Sequence, residues 1–359
     1  MLPQMSSTSE LNPVINHDVR KLPINPNHWY VVCPSSDITH QPVGIIIWYQ
    51  AIALYRDDTG KVHALEDRCP HRQVKLSHGQ IINNEIECAY HGWRFNDTGK
   101  CTQVPYLEPD QKLPTCQIRS YPVKEQNGFI WIYLGNNQPN SEPLEIPEWD
   151  HLNYIATVSI INCQAHYSYL IENLMDMYHG HLHQDLQAWS QASLQNIEET
   201  YNRVDAYYTV QSYYRIDKIW SISQLFFPAL RKLHPEALNV SYVYPHWVST
   251  LGQDFKIYCL LCPINETQTK AYLIHFTSLN AFWRLHKLPI WFRRWIKNSL
   301  FGAAQKLLDG LVVQDVKMIE EEQIAYLEHH TNNHRKNHEL NRALVSVQRL
   351  MKNQVDKTR

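Results

Sequence analysis

Two short segments of this 359-residue sequence each combine one cysteine with one histidine. The first is Cys69-Pro-His71 and the second is Cys88-Ala-Tyr-His91, with residues 72–87 between them. Thiolate and imidazole are the ligands that zinc and iron–sulfur centres use. A single metal centre can collect all four side chains only if the chain presents two loop tips side by side. The spacing therefore predicts a metal-binding fold for this part of the sequence.

Two kinds of metal centre fit these four ligands. A Rieske [2Fe-2S] cluster takes two cysteines on one iron and two histidines on the other. A structural zinc site also accepts two cysteines and two histidines, but zinc fingers group them as Cys-x₂₋₄-Cys and His-x₃₋₅-His. The alternating order favours the cluster, with Cys69, His71, Cys88 and His91 as its ligands.

The composition limits what partners and compartment to expect. With 33 Lys+Arg against 35 Asp+Glu, the net charge is −2, which gives no reason to expect nucleic acid as a partner. The N-terminal segment lacks the apolar run of an export signal, and no stretch is long enough to span a membrane. We therefore expect a cytoplasmic protein whose 8 cysteines are thiols or metal ligands rather than disulfides.

Changes in residue pattern divide the chain into four parts. A polar segment rich in Pro and Asn predicts a flexible arm, and short β-like runs between turn residues predict an all-β domain. Beyond a Pro-rich connector, a helical segment, several strands and a long helix predict an α+β domain with an antiparallel sheet flanked by helices. A polar C-terminal tail is expected to fray. The predicted boundaries are 1–26 for the arm, 27–137 for the β domain, 150–332 for the α+β domain and 333–359 for the tail.

A second group of metal-ligand side chains lies in the segment AHYSYLIENLMDMYHGHLH, which has a helical pattern. Glu172, Asp176, His179 and His183 are spaced i, i+4, i+7 and i+11, which places them on one face of a continuous helix. Burying such a stripe is costly unless it binds metal or exchanges protons. Two histidines and a distant carboxylate form the facial triad of non-haem Fe(II) oxygenases. The alternative is a solvated, histidine-rich helix end.

The residues around both groups resemble those of the Rieske non-haem iron oxygenases. CPHR, LSHG and CAYHGWRFNDTGKC resemble the Rieske domain of ring-hydroxylating oxygenases, and ENLMDMYHGHLH resembles the family's iron motif Asn-x-x-Asp-x-x-His. Asn173, Asp176 and His179 match that motif. The family places its second histidine five residues after the first, where this chain has Gln184. His183, four residues on, is the preferred ligand because it lies beside His179 on a helix, while His181 stays open.

The resemblance also indicates the third iron ligand. LVVQDVKMIEEEQ is similar to the family's C-terminal helix, in which an aspartate binds the iron, and this implies Asp315. The competing carboxylates are Glu320, Glu321 and Glu322, but three consecutive acids usually mark a solvated helix face.

The family implies a fold, a reaction and partners. The fold would be a Rieske domain followed by a helix-grip (START-like) catalytic domain. A reduced ferredoxin, supplied by an NAD(P)H-dependent reductase, would reduce the cluster, and the mononuclear Fe(II) would activate O₂ against a small organic substrate. In the family, electrons cross between subunits of a homotrimer, so Asp176 would connect His91 of one subunit to His179 of the next. Asp176 and Asn173 are the predicted catalytic residues.

The class of reaction is narrowed by length. The chain is shorter than typical dioxygenase α subunits, so it resembles the single-subunit monooxygenase and demethylase branch, and hydroxylation or oxidative demethylation is expected over arene cis-dihydroxylation. The other alternative is a non-catalytic Rieske electron carrier.

One basic segment with several aromatic residues has no role in the predicted metal sites. Residues 284–306 carry six Lys or Arg and no acid. Contact with a membrane surface, docking of an acidic redox partner and an ordinary amphipathic helix are the three alternatives for it.

Overall fold

The computed structural model describes residues 18–186, 189–213, 230, 232–281, 287–329 and 339–356. Most of the described chain is β-structure, followed by helices toward the C-terminus. The strands are β1 (Trp29–Pro34), β2 (Val43–Ile47), β3 (Gln50–Arg56), β4 (Val62–Glu66), β5 (Gln80–Ile82), β6 (Glu85–Glu87), β7 (Arg94–Phe95), β8 (Cys101–Gln103), β9 (Val123–Gln126), β10 (Phe129–Tyr133), β11 (Tyr154–Cys163), β12 (Trp189–Glu199), β13 (Arg203–Ser212), β14 (His234–Val243), β15 (His246–Leu251), β16 (Phe255–Asn265) and β17 (Gln268–Ser278).

Three α-helices accompany these strands in the described part of the chain. They are α1 (Tyr167–Met175), α2 (Ile290–His329) and α3 (Arg342–Asp356). Short 3₁₀ turns occupy Val19–Lys21, Ser35–Asp37, Leu76–His78, His179–Leu186 and Leu279–Ala281. None of the described helices combines the length and apolar character that a membrane span requires.

The N-terminal region consists of three small antiparallel sheets. Strands β1, β10 and β9 form one, β2, β3 and β4 form the second, and β5 to β8 form a four-stranded third sheet. The third sheet carries the two Cys/His loops, because one loop enters it before β5 and the other connects β6 to β7. The predicted all-β character of this region is therefore observed.

A seven-stranded antiparallel sheet, in the order β11-β17-β16-β15-β14-β13-β12, forms the second region. Its outer face packs against β1 and β10 through aromatic residues that include Trp131, Tyr272 and Phe276. Its inner face is covered by the helices. The Ser159 hydroxyl of β11 donates a hydrogen bond to Asp309 and accepts one from the side-chain amide of Gln305, both on α2. Apolar residues of α1 and α3 pack in the same hydrophobic cluster as residues of the sheet. The predicted α+β architecture, with an antiparallel sheet flanked by helices, is confirmed.

The predicted arm is wrong for its last residues. From residue 18 onward the chain packs into the core, where Val19, Leu22 and Ile24 are buried. The side-chain amide of Asn25 donates a hydrogen bond to the carbonyl oxygen of Gln354, 3.0 Å away. Few apolar residues, correctly spaced, are enough to anchor a segment whose overall composition is polar. Residues 1–17 lie outside the described part of the chain.

The predicted fraying tail is also wrong, since residues 342–356 form α3. Ala343, Val347 and Met351 follow the i, i+4, i+8 spacing of one helix face, and each is fully buried. The other faces carry polar residues such as Arg342, Arg349 and Lys352, which make the segment polar on average. Residues 330–338, with most of the tail histidines, lie outside the described residues.

Candidate metal centres

The two Cys/His loops have the same backbone hydrogen bonds. In the first, the Cys69 N–H donates to the Val74 carbonyl, and the Gln73 N–H donates to the Cys69 carbonyl, both at 2.8 Å. In the second, the Cys88 N–H donates to the Trp93 carbonyl at 2.8 Å, and the Gly92 N–H donates to the Cys88 carbonyl at 3.0 Å.

The fifth residue of each loop also adopts the same conformation. Gln73 has φ 63° and Gly92 has φ 70°, both in the left-handed region that favours glycine. A Cβ at Gly92 would lie 2.8 Å from Cγ of Pro105, so lack of space excludes a larger residue there, whereas Gln73 is accommodated in the same conformation. The two loops are therefore closed by the same turn, with the cysteine first in each, although the histidine is the third residue of the first turn and the fourth of the second.

The four predicted cluster ligands lie together. Cys69 and Cys88 are both 2% exposed. The imidazole centroids of His71 and His91 are 4.6 Å apart. Nδ1 of His71 is buried and has no hydrogen-bond partner among the described residues. A buried nitrogen without a partner is costly unless a metal takes its lone pair, so this donor set fits a [2Fe-2S] cluster.

The shifts in the pKa values of Cys69 and His71 are those expected of metal ligands in the absence of the metal charge. Burial raises the pKa of the Cys69 thiol to about 11, the backbone N–H of His71 opposes that shift, and the neighbouring Cys88 adds to it. Burial, with the nearby His91 and Arg72, lowers the pKa of His71. A cationic metal would reverse the first effect by stabilising the thiolates, and it would accept the neutral imidazoles.

Aromatic side chains surround the cluster loops. The Trp93 ring stacks on His71 with centroids 4.9 Å apart and an angle of 8°. Nε1 of Trp93 donates a 2.8 Å hydrogen bond to the Tyr106 hydroxyl. Tyr106 and Tyr90 are more than half exposed, so the tip that carries the histidines presents an aromatic surface to solvent.

The second predicted constellation is not one continuous helix. Helix α1 ends at Met175, and Asp176 has extended backbone with ψ 107°. The Asp176 carboxylate accepts a 2.9 Å hydrogen bond from the Tyr178 N–H, a local turn that competes with helix continuation. Glu172, the first residue of the predicted stripe, instead pairs with Arg20 at 2.5 Å. The prediction of a four-residue stripe was therefore wrong.

Three of the predicted iron ligands nevertheless meet. Ligand atoms of His179, His183 and Asp315 all lie within 4.8 Å of one another. Nε2 of His183 is 3.2 Å from Oδ1 of Asp315, and Nε2 of His179 is 3.6 Å from the same oxygen. The histidines come from the 3₁₀ turn after α1, and the aspartate comes from the middle of α2.

The surroundings of these three side chains fit a divalent cation. Burial lowers the pKa of His179, although Asp315 opposes the shift. Burial is the largest single effect on His183 and acts in the same direction, but the hydrogen bond to Asp315, the charge of Asp315 and the hydrogen bond to Gln314 together raise its pKa. Nδ1 of His179 is buried without a hydrogen-bond partner among the described residues. Two imidazoles and one carboxylate at this separation form the donor set of a non-haem Fe(II) site.

The remaining predicted residues surround this group. The Asn173 side-chain amide is 3.5 Å from Oδ1 of Asp315. Of the three competing glutamates, Glu320 accepts a hydrogen bond from the Gln164 N–H at 2.8 Å, and Glu321 and Glu322 are exposed. None of the three joins the group. The side chain of His181 lies outside the described residues.

Sequence reasoning missed two polar side chains next to the predicted residues. Oε1 of Gln314 lies 3.1 Å from Nδ1 of His183, and Asn341 donates a 3.0 Å hydrogen bond to Oδ1 of Asp176. Gln314 directly precedes Asp315, so its position beside a ligand was a usable signal. Asn341 had no local signal, because it lies far along the chain in a segment with no metal-ligand pattern.

Comparison with known proteins identifies a Rieske domain and relates the chain to oxygenases. Residues 28–122 match the family model of the Rieske [2Fe-2S] domain. The chain is 31% identical over 307 residues to 4beta-methylsterol monooxygenase of Methylococcus capsulatus, covering 79% of each protein. It is 33% identical over 157 residues to the oxygenase component of dicamba O-demethylase of Stenotrophomonas maltophilia, covering 43% of this chain and 46% of that relative.

A solved structure extends the likeness to the whole fold. Dicamba monooxygenase bound to dicamba superposes with a TM-score of 0.72 at 21% identity, covering 95% of this chain and 99% of the other. A further structure of that enzyme holds a non-haem iron together with dicamba. These structures share the fold, and the matches to the Rieske domain and to the methylsterol monooxygenase place a Rieske cluster and an oxygenase activity in one chain. The chain belongs to the Rieske oxygenase family.

Proposed function

We propose that the protein is a monooxygenase that hydroxylates or oxidatively demethylates a lipophilic, methyl-bearing organic substrate. The observation that carries the proposal is the meeting of His179, His183 and Asp315, three ligand atoms within 4.8 Å of one another beneath the inner face of the large sheet. In this proposal these residues hold the mononuclear iron, and Cys69, His71, Cys88 and His91 hold the [2Fe-2S] cluster. When bound, the cluster supplies single electrons and the iron supplies the position at which O₂ is activated.

The side chains around the iron site have separate roles. Oε1 of Gln314 can only accept a hydrogen bond, so it selects the His183 tautomer with hydrogen on Nδ1. That leaves the Nε2 lone pair directed toward Asp315 and the metal position. Asn173 can donate to the Asp315 carboxylate and restrict its rotation.

Asp176 is proposed to connect two subunits of a homotrimer. Its Oδ1 is occupied by the Tyr178 N–H and the Asn341 amide, and it directly precedes the segment that carries His179. The exposed aromatic tip around His91 would dock against the neighbouring subunit's Asp176 surface, because the family couples cluster and iron between subunits. The electron donor is proposed to be a reduced ferredoxin with its NAD(P)H-dependent reductase.

The proposed substrate class follows from the methylsterol relative and from helix α2. The relative's name describes a monooxygenase that acts on a 4beta-methylsterol, a lipophilic ring system that carries a methyl group. At the start of α2, Trp291 is 71% exposed and Trp295 is 60% exposed, in a sequence rich in Arg and Lys. Exposed tryptophans beside basic residues are typical of helices that lie on an anionic membrane surface. A cytoplasmic enzyme that contacts the membrane here would collect a lipophilic substrate from it; residues 284–286 lie outside the described part of the chain.

Iron and sulfide analysis of anaerobically purified protein tests the proposal. The oxygenase predicts about three iron per chain and a non-catalytic Rieske carrier predicts about two, with acid-labile sulfide in both. His179→Ala and Asp315→Ala should each lose one iron and keep the cluster spectrum, while Glu321→Ala, on the exposed side of α2, should lose none. Two iron in the wild-type protein would favour the carrier.

Analysis of the products then distinguishes monooxygenation from dihydroxylation. With a surrogate ferredoxin system, ¹⁸O₂ and a 4-methylsterol, a monooxygenase incorporates one labelled oxygen per product and a dihydroxylating enzyme incorporates two.

A further inference from the structure

Two thiols that are not predicted metal ligands lie opposite each other in the Rieske domain. Lys100 and Gln117 form an antiparallel bridge beside β8. One residue further along each segment, the Cys101 N–H donates a 3.4 Å hydrogen bond to the Cys116 carbonyl. Lys100 and Gln117 are exposed, so the next side chains, Cys101 and Cys116, lie on the other face, against the packed core of the domain.

This arrangement meets the geometric requirement of a disulfide. Directly opposed residues that share a backbone hydrogen bond have Cα atoms about 5.5 Å apart, with both side chains on one face. Disulfides join cysteines whose Cα atoms are roughly 4.4 to 6.8 Å apart. The two thiols also interact, because burial raises the pKa of Cys101 to about 11 and the charge and hydrogen bonding of Cys116 add to that shift. In the structure both cysteines are free thiols.

The two thiols differ in their access to solvent. Cys101 is 2% exposed, whereas Cys116 is only partly buried and lies in a segment with exposed neighbours. A small oxidant in solution therefore reaches Cys116 first, and Cys101 lies next to the intermediate that forms there. The Cys-x-x-Cys pair of the sequence, Cys259 and Cys262, lacks this access, because both side chains are buried in β16.

The segment between the two thiols, residues 102–115, contacts the cluster turns through Tyr106. The Tyr106 hydroxyl accepts a 2.8 Å hydrogen bond from Nε1 of Trp93. Its ring lies 6.4 Å from the His71 ring and 6.5 Å from the His91 ring, centroid to centroid. The position of this segment therefore affects both histidines that we expect to bind the cluster.

A covalent link at the base of this segment would restrict its movement away from the cluster turns. Pro105 packs against Gly92 of the second turn, whereas residues 108–113 are exposed. A disulfide between Cys101 and Cys116 would close residues 102–115 into a loop. Closing a loop removes conformations in which its ends are apart, and here those are conformations in which the contacts with the cluster turns are lost.

We propose that Cys101 and Cys116 form a reversible modification site, at which a low-molecular-weight disulfide such as glutathione disulfide introduces an intramolecular disulfide. The link holds residues 102–115 against the cluster turns and slows loss of the [2Fe-2S] cluster. The site lies in the Rieske domain, away from the residues that we propose as iron ligands. The inference therefore goes beyond the proposed function and does not depend on it.

The reaction consists of two thiol–disulfide exchanges. The Cys116 thiolate attacks one sulfur of the external disulfide, forms a mixed disulfide and releases one thiolate. The Cys101 sulfur, after losing its proton, attacks the Cys116 sulfur, closes the protein disulfide and releases the second thiolate. Two protein thiols are oxidised and one external disulfide is reduced to two thiols, which take up the two protons of the cysteines.

Thiol mapping of the anaerobically purified holoenzyme tests the proposal. The protein is incubated with glutathione disulfide, the remaining thiols are alkylated, and the peptides are analysed by mass spectrometry. Most chains should carry the link between Cys101 and Cys116 while the absorption spectrum of the cluster is retained, and dithiothreitol should remove the link. Cys259 and Cys262 should stay reduced. Loss of the cluster to a chelator should be about fivefold slower in the linked enzyme than in the reduced enzyme.

Three variants make the test specific. Cys116→Ser should form no link, and its cluster should be lost at the same rate with or without glutathione disulfide. Cys101→Ala should stop at the mixed disulfide, with one glutathione on Cys116. Cys163→Ala, which removes a buried thiol of β11, is the control and should form the link as the wild type does.

Absence of the link in the wild type, or a link that forms only after the cluster has been lost, would overturn the modification site. Equal rates of cluster loss from linked and reduced enzyme would overturn the proposed effect on the cluster. Neither measurement requires the mononuclear iron, so a failure of the oxygenase proposal, seen in the iron content of the same samples, stays separate from a failure of this one.

Discussion

The side-chain amide of Asn341 donates a 3.0 Å hydrogen bond to Oδ1 of Asp176, although the two residues are far apart in sequence. The same Asn341 caps helix α3, because its Oδ1 accepts a 3.0 Å hydrogen bond from the Ala343 N–H. One side chain therefore joins the C-terminal helix to the carboxylate that we propose connects two subunits. The position of α3 and the orientation of Asp176 are linked through it.

Asn341→Ala should lower turnover about tenfold by freeing Asp176, and it should also cost about 1 kcal/mol of stability through loss of the helix cap. Asn341→Ser keeps a capping side chain but is too short to reach Asp176, so it should lower turnover with stability close to that of the wild type. Asp176→Asn should keep both metals and nearly abolish turnover. Full activity in Asn341→Ser would show that the contact has no role in catalysis.

Gln314→Leu should weaken binding of the mononuclear iron by about tenfold, because the His183 ring loses the acceptor that fixes its tautomer. Competition with a chelator measures this affinity, and the [2Fe-2S] spectrum should not change. Lys317→Gln, on the exposed side of α2, is the matched control. An iron affinity equal to that of the wild type would mean that Gln314 does not orient His183.

The ion pair between Arg20 and Glu172 should be a large local contributor to stability. The side chains are only 13% and 9% exposed, and the Arg20 guanidinium also stacks on the Tyr169 ring at 3.6 Å. Arg20→Met should lower the free energy of unfolding by about 3 kcal/mol because it leaves the Glu172 charge buried without its partner. The double variant with Glu172→Leu should recover much of that loss. Urea unfolding of the four proteins measures the coupling, and additive losses would contradict it.

The exposed tryptophans of α2 should bind the protein to anionic membranes. Trp291→Ala with Trp295→Ala should reduce sedimentation with vesicles of phosphatidylserine and phosphatidylcholine at least fivefold, because each tryptophan buries a large apolar surface in the interface. Tyr201→Ala removes another exposed aromatic, 67% exposed, and should have no effect. Binding should also weaken as salt is raised. Equal sedimentation of wild type and double variant would exclude this surface.

Acid should destabilise the protein through buried histidines. Burial lowers the pKa of His246 to about 3 and that of His166 to about 4, from an ordinary value near 6.5. Between pH 6.5 and pH 4.5 the unfolded chain therefore binds protons that the folded chain does not. The stability present at neutral pH should decline over this window, by about 1.4 kcal/mol per pH unit for each histidine.

The urea midpoint between pH 7.5 and pH 4.5 measures this decline. His246→Gln should flatten the decline, and the exposed His151→Gln should not. An identical pH dependence in the wild type and His246→Gln would assign the acid sensitivity to other groups.

Features whose residues lie close together in the sequence could be predicted, and features formed by distant residues could not. The cluster loops could be predicted because ligands, turns and glycine lie within a few residues of one another around Cys69 and Cys88. The three side chains that we propose as iron ligands were expected to lie together, and they do, but not for the expected reason. We expected a continuous helix from Glu172 to His183, and the chain instead turns at Asp176, where a carboxylate binds a nearby backbone N–H.

Contacts between distant segments could not be predicted. Nothing near Glu172 indicates that its partner is Arg20, and nothing near Asp176 indicates Asn341. Average polarity predicts a frayed C-terminal tail, whereas the spacing of Ala343, Val347 and Met351 marks the buried face of a helix. Burial of a narrow stripe stabilises a helix even when most of its residues are polar.

The twin turns at Cys69 and Cys88 have a consequence for the order of the ligands along the chain. Each turn is closed by its own backbone hydrogen bonds and stands on a sheet with a packed core, so its shape is fixed by the polypeptide. Because the same hydrogen bonds close both turns, the histidine can follow its cysteine after one residue in the first turn and after two in the second without a change in the turn itself.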